Sequence, residues 1–155
     1  MSDEDQEKLR NRMGVTSTEE LLAFNQKIVE EFRANEGKCG GPFEGNPMVL
    51  ITMTGAKSDR TLTNPLTYHA DGDDCIIMAS AGGSPTHPAW YHNLVAHPDI
   101  TVERGAEKYA ATAVLIEGDE RAAAFKGMTE AIPRFADYQA GVEREIPIFR
   151  LVRKA

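Results

Sequence analysis

The chain isolates two cations. Between Cys39 and Glu103 the only lysine or arginine side chains are Lys57 and Arg60, both in the polar run Ala56-Lys57-Ser58-Asp59-Arg60. Gly55 and the hydroxyls of Thr54, Ser58 and Thr61 stand beside them. Cations and hydroxyl donors gathered in one short loop can hold a phosphate or carboxylate through charge-assisted hydrogen bonds. A solvated hairpin tip is decorated by the same residue types, so the loop alone leaves both readings open. A second candidate is Ala79-Ser80-Ala81-Gly82-Gly83-Ser84-Pro85, which joins a strand end to a helix start. Backbone N–H groups there favour an anion or a carbonyl oxygen. The run is neither a Walker loop nor a GxGxxG fingerprint, and taken alone it reads first as a flexible connection.

The remaining chemistry-bearing residues are less organised. His87, His92 and His97 recur at steps of five, which does not align them on one helical face. With His69 and Cys75 elsewhere, no tetrahedral metal set is expected. No Ser-His-Asp or Cys-His arrangement emerges, and Cys75, inside an apolar run, reads as core. Trp90 reads as helix packing; Tyr91 is either packing or an aromatic wall for a planar ligand.

Charge narrows the partners. Seventeen basic residues against twenty-four acidic ones give a net charge of −7, which argues against nonspecific nucleic-acid binding, since phosphate neutralisation supplies its affinity. No apolar run approaches the roughly 18 residues of a membrane span. The acidic start, Met1 to Asp5, lacks an apolar h-region, and two cysteines make no disulfide framework. The expectation is a cytoplasmic protein whose partner is a small molecule. A length of 155 residues favours one domain, residues 17–155, behind a polar, flexible stretch 1–16.

These residues need elements to position them. Ser17-Thr18-Glu19-Glu20 has the form of a capping box. Leu21, Phe24, Ile28 and Phe32, widened by Leu22 and Val29, then make one apolar stripe on a helix over 17–33. Strands are expected at 48–54, 61–68, 75–79, 100–103, 109–116 and 146–152, with turns at Asp71-Gly72-Asp73 and Gly105. Helices are expected at 88–96, 119–131 and 135–142. Short connections between six strands predict a mainly β fold with α elements: a six-stranded barrel closed on itself, flanked by three or four helices. The first helix would cover one opening or face of it.

Taken in order, Thr52-Met53-Thr54-Gly55-Ala56-Lys57-Ser58, Asn64-Pro65-Leu66, Ala79-Ser80-Ala81-Gly82-Gly83, Pro88-Ala89-Trp90-Tyr91-His92-Asn93-Leu94, and Tyr138 with Ile146-Pro147-Ile148 resemble the deazaflavin-dependent nitroreductases and quinone reductases of actinobacteria. These enzymes use coenzyme F420. The resemblance spans about residues 40–149 and implies a split β-barrel. It implies hydride transfer from the reduced coenzyme to a quinone, nitroaromatic or activated alkene. It also gives the cationic loop a partner, because the coenzyme carries a phosphate and an oligoglutamate tail.

By position, the resemblance places Ala56, Lys57 and Ser58 at that phosphate and tail, with Arg60 sharing the load. It places Thr63, Asn64 and Pro65 along the groove and Ala79, Ser80 and Ala81 along the ring edge. Ala89, Trp90, Tyr91 and Asn93 would flank the coenzyme, and Ile132, Phe135 and Tyr138 would face the substrate. Ser80 and Tyr138 are the candidate catalytic groups that polarise or protonate the acceptor oxygen. Leu62 and Ala81 stand where relatives commonly carry a base, and Ile132 and Phe135 replace lid tyrosines. Loss of those phenols argues against activation of bulky nitroimidazoles. An FMN-dependent oxidoreductase on the same barrel and a non-enzymatic deazaflavin carrier are the rival readings; oligomeric state and peripheral membrane contact stay open.

Overall fold

The computed structural model describes residues 18–38, 47–80 and 87–154. The capping Ser17, the stretch 1–16, Cys39, the turn-rich run 40–46 and the segment from Ala81 to Thr86 lie outside the described residues. The elements run α1 (Thr18–Ala34), β1 (Met48–Thr54), β2 (Thr61–Thr67), β3 (His69–Asp71), β4 (Asp74–Met78), α2 (Ala89–Ala96), β5 (Asp99–Arg104), β6 (Glu107–Ile116), α3 (Gly118–Ala131), α4 (Arg134–Ala140) and β7 (Ile148–Arg153).

The strands form one antiparallel sheet in the order β2-β1-β5-β6-β7-β4-β3. Among the described residues there are seven strands, not the six expected, and their hydrogen-bond ladder is open rather than closed on itself. The added strand comes from dividing the run after Thr61. Residues 61–67 pair with β1, and Tyr68 donates its N–H to Pro47. From His69 onward the chain pairs with β4 instead. Because β2 and β3 are the two edges of the sheet yet only Tyr68 separates them, the sheet must curl until its edges meet there. Pro65 is tolerated because β2 is an edge strand.

Curling gives the period-2 alternation an inside and an outside. In β1, Val49, Ile51 and Met53 point inward. Cys75 and Ile77 of β4 and Phe149 and Leu151 of β7 join them, with Trp90 and Leu94 of α2 closing the cluster. The outward positions are covered twice. Met48 and Leu50 lie under Ile28, Val29 and Phe32 of α1. Ile76, Met78 and Ile148 lie under Met128, Ile132 and Phe135 of α3 and α4. The first helix therefore covers a face, not an opening.

Long-range charge pairs fasten the layers. Arg33 of α1 grips Glu103 of β5 through two bonds of 3.0 Å. Arg150, on the outer face of β7, reaches Asp71 of β3 at 2.7 Å and Glu120 of α3 at 3.1 Å.

The C-terminus of α1 is closed by a Schellman-type bond: the Gly37 N–H donates to the Phe32 carbonyl at 2.8 Å, with Glu36 left-handed at φ 53°. Gly37 itself sits at φ 97°, and a Cβ there would approach Gly105 Cα to 2.9 Å. Only glycine fits a position that is both left-handed and pressed on backbone. Gly37→Ala is expected to lower stability by about 1–2 kcal/mol, read as a reduced urea midpoint at unchanged slope.

Candidate active site

The outward face of β1 changes character along its length. Its outer positions read Met48, Leu50, Thr52 and Thr54, so α1 buries the first two and the threonines lie beyond its contact. Thr52 bonds Thr63 of β2 hydroxyl to hydroxyl at 2.9 Å. An open cleft at this end is lined by Thr52, Thr54, Thr61, Asp99 and Thr101, with Met53 and Ile100 at its floor. Thr54 and Thr61 are the two residues from which the cationic loop springs. The hydroxyl-lined cleft and the Lys57–Arg60 loop are thus continuous.

The loop is shaped from within. Gly55 N–H donates to Arg60 O at 2.8 Å, Asp59 N–H to Gly55 O at 3.1 Å, and Arg60 N–H to Ser58 Oγ at 3.2 Å. Asp59 takes a left-handed φ of 54°, and a Cβ on Gly55 would collide with Ser58 Oγ. From outside, Asn93 of α2 accepts the Ala56 N–H at 2.9 Å through Oδ1 and turns Nδ2 toward Met53 Sδ at 3.6 Å. Asn93 is only 9% exposed. It reaches the cation loop through that backbone bond, a function that sequence spacing did not reveal.

Lys57 and Arg60 are both exposed, and neither has an ion pair among the described residues. Elsewhere several arginines and a lysine are paired: Arg121 with Glu145 at 2.9 Å, Arg153 with Glu107 at 2.9 Å and Lys154 with Asp99 at 2.8 Å. The Asp99 carboxylate at the cleft rim is thereby partly neutralised.

The structure places the remaining predicted residues in three settings. Thr63 lies on the outer face beside the cleft, and Asn64 and Pro65 follow it on the same edge strand, half-buried. Ala89 is exposed at the start of α2. Trp90 is buried inside the barrel against Phe149, ring centroids 6.2 Å apart. Tyr91 is half-buried and lies 4.1 Å from the His87 ring. Ala79 and Ser80 directly follow β4; the Ala79 N–H donates to Pro147 O at 2.9 Å, and Ser80 is 7% exposed. Ile132 and Phe135 fill the outer cluster, with Tyr138 against them at 5.9 Å from the Phe135 ring. Ala81 lies outside the described residues.

One residue was missed altogether. Arg144, half-buried between α4 and β7, donates to the carbonyls of Ala79 and Ser80 and reaches His87. Its partners are two backbone oxygens and a ring nitrogen, which leave no motif in a sequence. Among the described residues no group of three or more His, Cys, Asp or Glu side chains could hold a metal ion. Burial pushes the Cys75 thiol above its ordinary value, with the Tyr109 hydroxyl 3.6 Å away.

A curled antiparallel sheet thus carries an exposed cationic loop beside an open, hydroxyl-lined cleft. Known proteins define the class. Residues 25–153 match the model of the F420H(2)-dependent quinone reductases. The chain is 35% identical over 139 residues to an F420H(2)-dependent quinone reductase of Mycobacterium tuberculosis, covering 87% of this chain and 91% of that protein. A solved F420-H2 dependent reductase is 40% identical with a TM-score of 0.64, covering 68% of this chain and 93% of that one. Another similar structure, described as a domain-swapped dimer, is 33% identical with a TM-score of 0.67, covering 87% and 99%. The chain belongs to the F420H(2)-dependent quinone reductase family, whose hydride donor is reduced coenzyme F420.

Asn93 offers a direct check on the site's construction. Asn93→Leu keeps the volume but strands the Ala56 N–H, so stability should fall by about 1–3 kcal/mol. Hydrogen exchange at Ala56 should quicken while the interior strands stay protected.

Proposed function

We propose that this chain is a reductase in which the Lys57–Arg60 loop and the threonine cleft hold the anionic coenzyme while Ser80 and Tyr138 serve the acceptor, a quinone or similarly activated molecule. One observation carries the reading: two exposed cations with no carboxylate partner among the described residues stand at the mouth of an open cleft in a chain of net charge −7. The donor set suits a phosphate and a carboxylate tail, because lysine, arginine, hydroxyls and backbone N–H groups all favour negative oxygen. When bound, reduced F420 supplies the hydride. Lys57 and Arg60 neutralise its charge, and Thr52, Thr54, Thr61 and Thr63 offer hydroxyls along the groove.

On the acceptor side, a neutral tyrosine can donate to an oxygen that gains charge. Its unperturbed pKa of about 10 leaves it protonated at pH 7. Ser80, just after β4, is the second donor. No helix among the described residues is long and apolar enough to cross a membrane, which is compatible with work in the cytoplasm on a small acceptor. Because a similar chain forms a domain-swapped dimer, self-association is part of this reading.

Titration with oxidised F420, with FMN as control, tests the site. Lys57→Ala and Arg60→Ala should each weaken F420 binding about fivefold to tenfold, with smaller losses at high salt because the loop is exposed. No loss in the double variant would remove the anion site, and equal affinity for FMN would favour a flavin-dependent enzyme instead. Tyr138→Phe should slow single-turnover reduction of a soluble quinone tenfold to a hundredfold, or about 1.4–2.7 kcal/mol of barrier. F420 affinity in that variant should hold.

A further inference from the structure

Arg144 spans two points of the chain that the sequence separates. Its Nη2 donates to the carbonyl oxygens of Ala79 at 3.1 Å and Ser80 at 3.3 Å, and its Nη1 lies 2.9 Å from Nδ1 of His87. A guanidinium has donors and no acceptor, so Nδ1 must accept. The His87 ring is then neutral, with its proton on Nε2. Tyr91 packs on that ring at 4.1 Å, and His92 meets it edge-on at 6.1 Å, both from α2. Burial first, then the charges of Arg144 and His92, hold His87 below the ordinary imidazole value.

We propose that Arg144 is a positioning residue that ties Ser80 to His87 and fixes His87 as the neutral Nε2–H tautomer, presenting two hydrogen-bond donors together to the acceptor. The last clause rests on the functional reading above; the tie and the tautomer do not. The sign of the pH effect follows from the bond. A proton on Nδ1 would set a donor against the guanidinium, so the tie persists above the ordinary imidazole range. It is lost only as pH falls below that range, through the lowered folded value.

Nitrogen NMR of the imidazoles in the full chain without coenzyme tests this, with His87→Asn assigning the resonance. His87 should be the Nε2–H tautomer and titrate below the ordinary imidazole value. In Arg144→Met the tautomers should mix and the midpoint rise toward about 6.5. A proton on Nδ1 of His87 in the unaltered chain, or an unchanged titration in Arg144→Met, would overturn the proposal. With reduced F420 and a soluble quinone, Arg144→Met should lower kcat about tenfold while the Kd for oxidised F420 stays within twofold. An equal loss of affinity would place Arg144 at the coenzyme instead and refute the acceptor role. Should the methionine variant not fold, Arg144→Lys carries the same comparison, because an ammonium cannot fork across two carbonyls and an imidazole. A chain that reduces no quinone would sink the functional reading and leave the imidazole result standing.

Discussion

Between Thr67 and His69 the chain leaves one edge of the sheet and enters the other, with Tyr68 as the only residue between. Consecutive Cα atoms are about 3.8 Å apart, so the outermost strands of a seven-stranded sheet cannot stand more than roughly two such steps apart at that point. A flat sheet would separate them by about six strand spacings of roughly 4.8 Å. The junction therefore obliges the sheet to curl, and the curl decides which side chains are enclosed. Inward positions of β1, β4 and β7 meet at one interior cluster, and outward positions need cover of their own. The helices supply it, α1 on one flank and α3 with α4 on the other. The threonine end of β1 lies beyond the α1 contact, and that is where the cleft opens.

Polarity then follows from coverage. Outer positions beneath a helix are methionine, leucine and isoleucine, whereas those at the cleft carry hydroxyls that bond each other, as Thr52 and Thr63 do. The cations follow the same division. Arg33 and Arg150 hold α1, β3 and α3 to the barrel through bonds to carboxylates on other elements. Lys57 and Arg60 hold nothing of the described fold together, and the loop carrying them is kept in shape by backbone bonds and Asn93 instead. A ligand that met those two cations would not have to break an ion pair to any described residue, which removes one cost of binding.

Much of this was legible in the residues. The β-prone apolar runs at Met48–Thr54 and Cys75–Met78 and the turns that bound them, as at Gly105, marked the strands, because short apolar runs between turn signals read as buried strands. The isolated cations marked the loop. The edge switch at Tyr68 was not legible: a three-residue strand carries too little pattern, and its exposed residues resemble the turn beside it. Asn93 was visible as a candidate, but its bond to Ala56 depends on how α2 crosses the loop, a tertiary fact. Arg144 left no trace, since carbonyl partners are the same for every residue type.

The flank under α3 and α4 is shaped by packing. Ile132 and Phe135 are 8% and 5% exposed among Ile76, Met78, Met128 and Ile148. A phenol at either position would bring a hydroxyl into that apolar cluster, where an unpartnered polar group costs several times what it gains in contact. The cluster therefore favours the apolar side chains it has, and donors on this flank fall to Tyr138 at its margin. Cys75 is a poor nucleophile for the same kind of reason. Burial raises its thiol pKa, so little thiolate forms at neutral pH. What remains for polar work are groups whose orientation is set from elsewhere: Ser80 just after β4, His87 under Arg144, and Tyr138 against Phe135. Their common feature is attachment to the connections around β4, α2 and β7, the part of the barrel wall opposite the α1 flank in strand order. The cation loop is bonded to the same α2 through Asn93, so one short helix adjoins both the Lys57–Arg60 loop and His87.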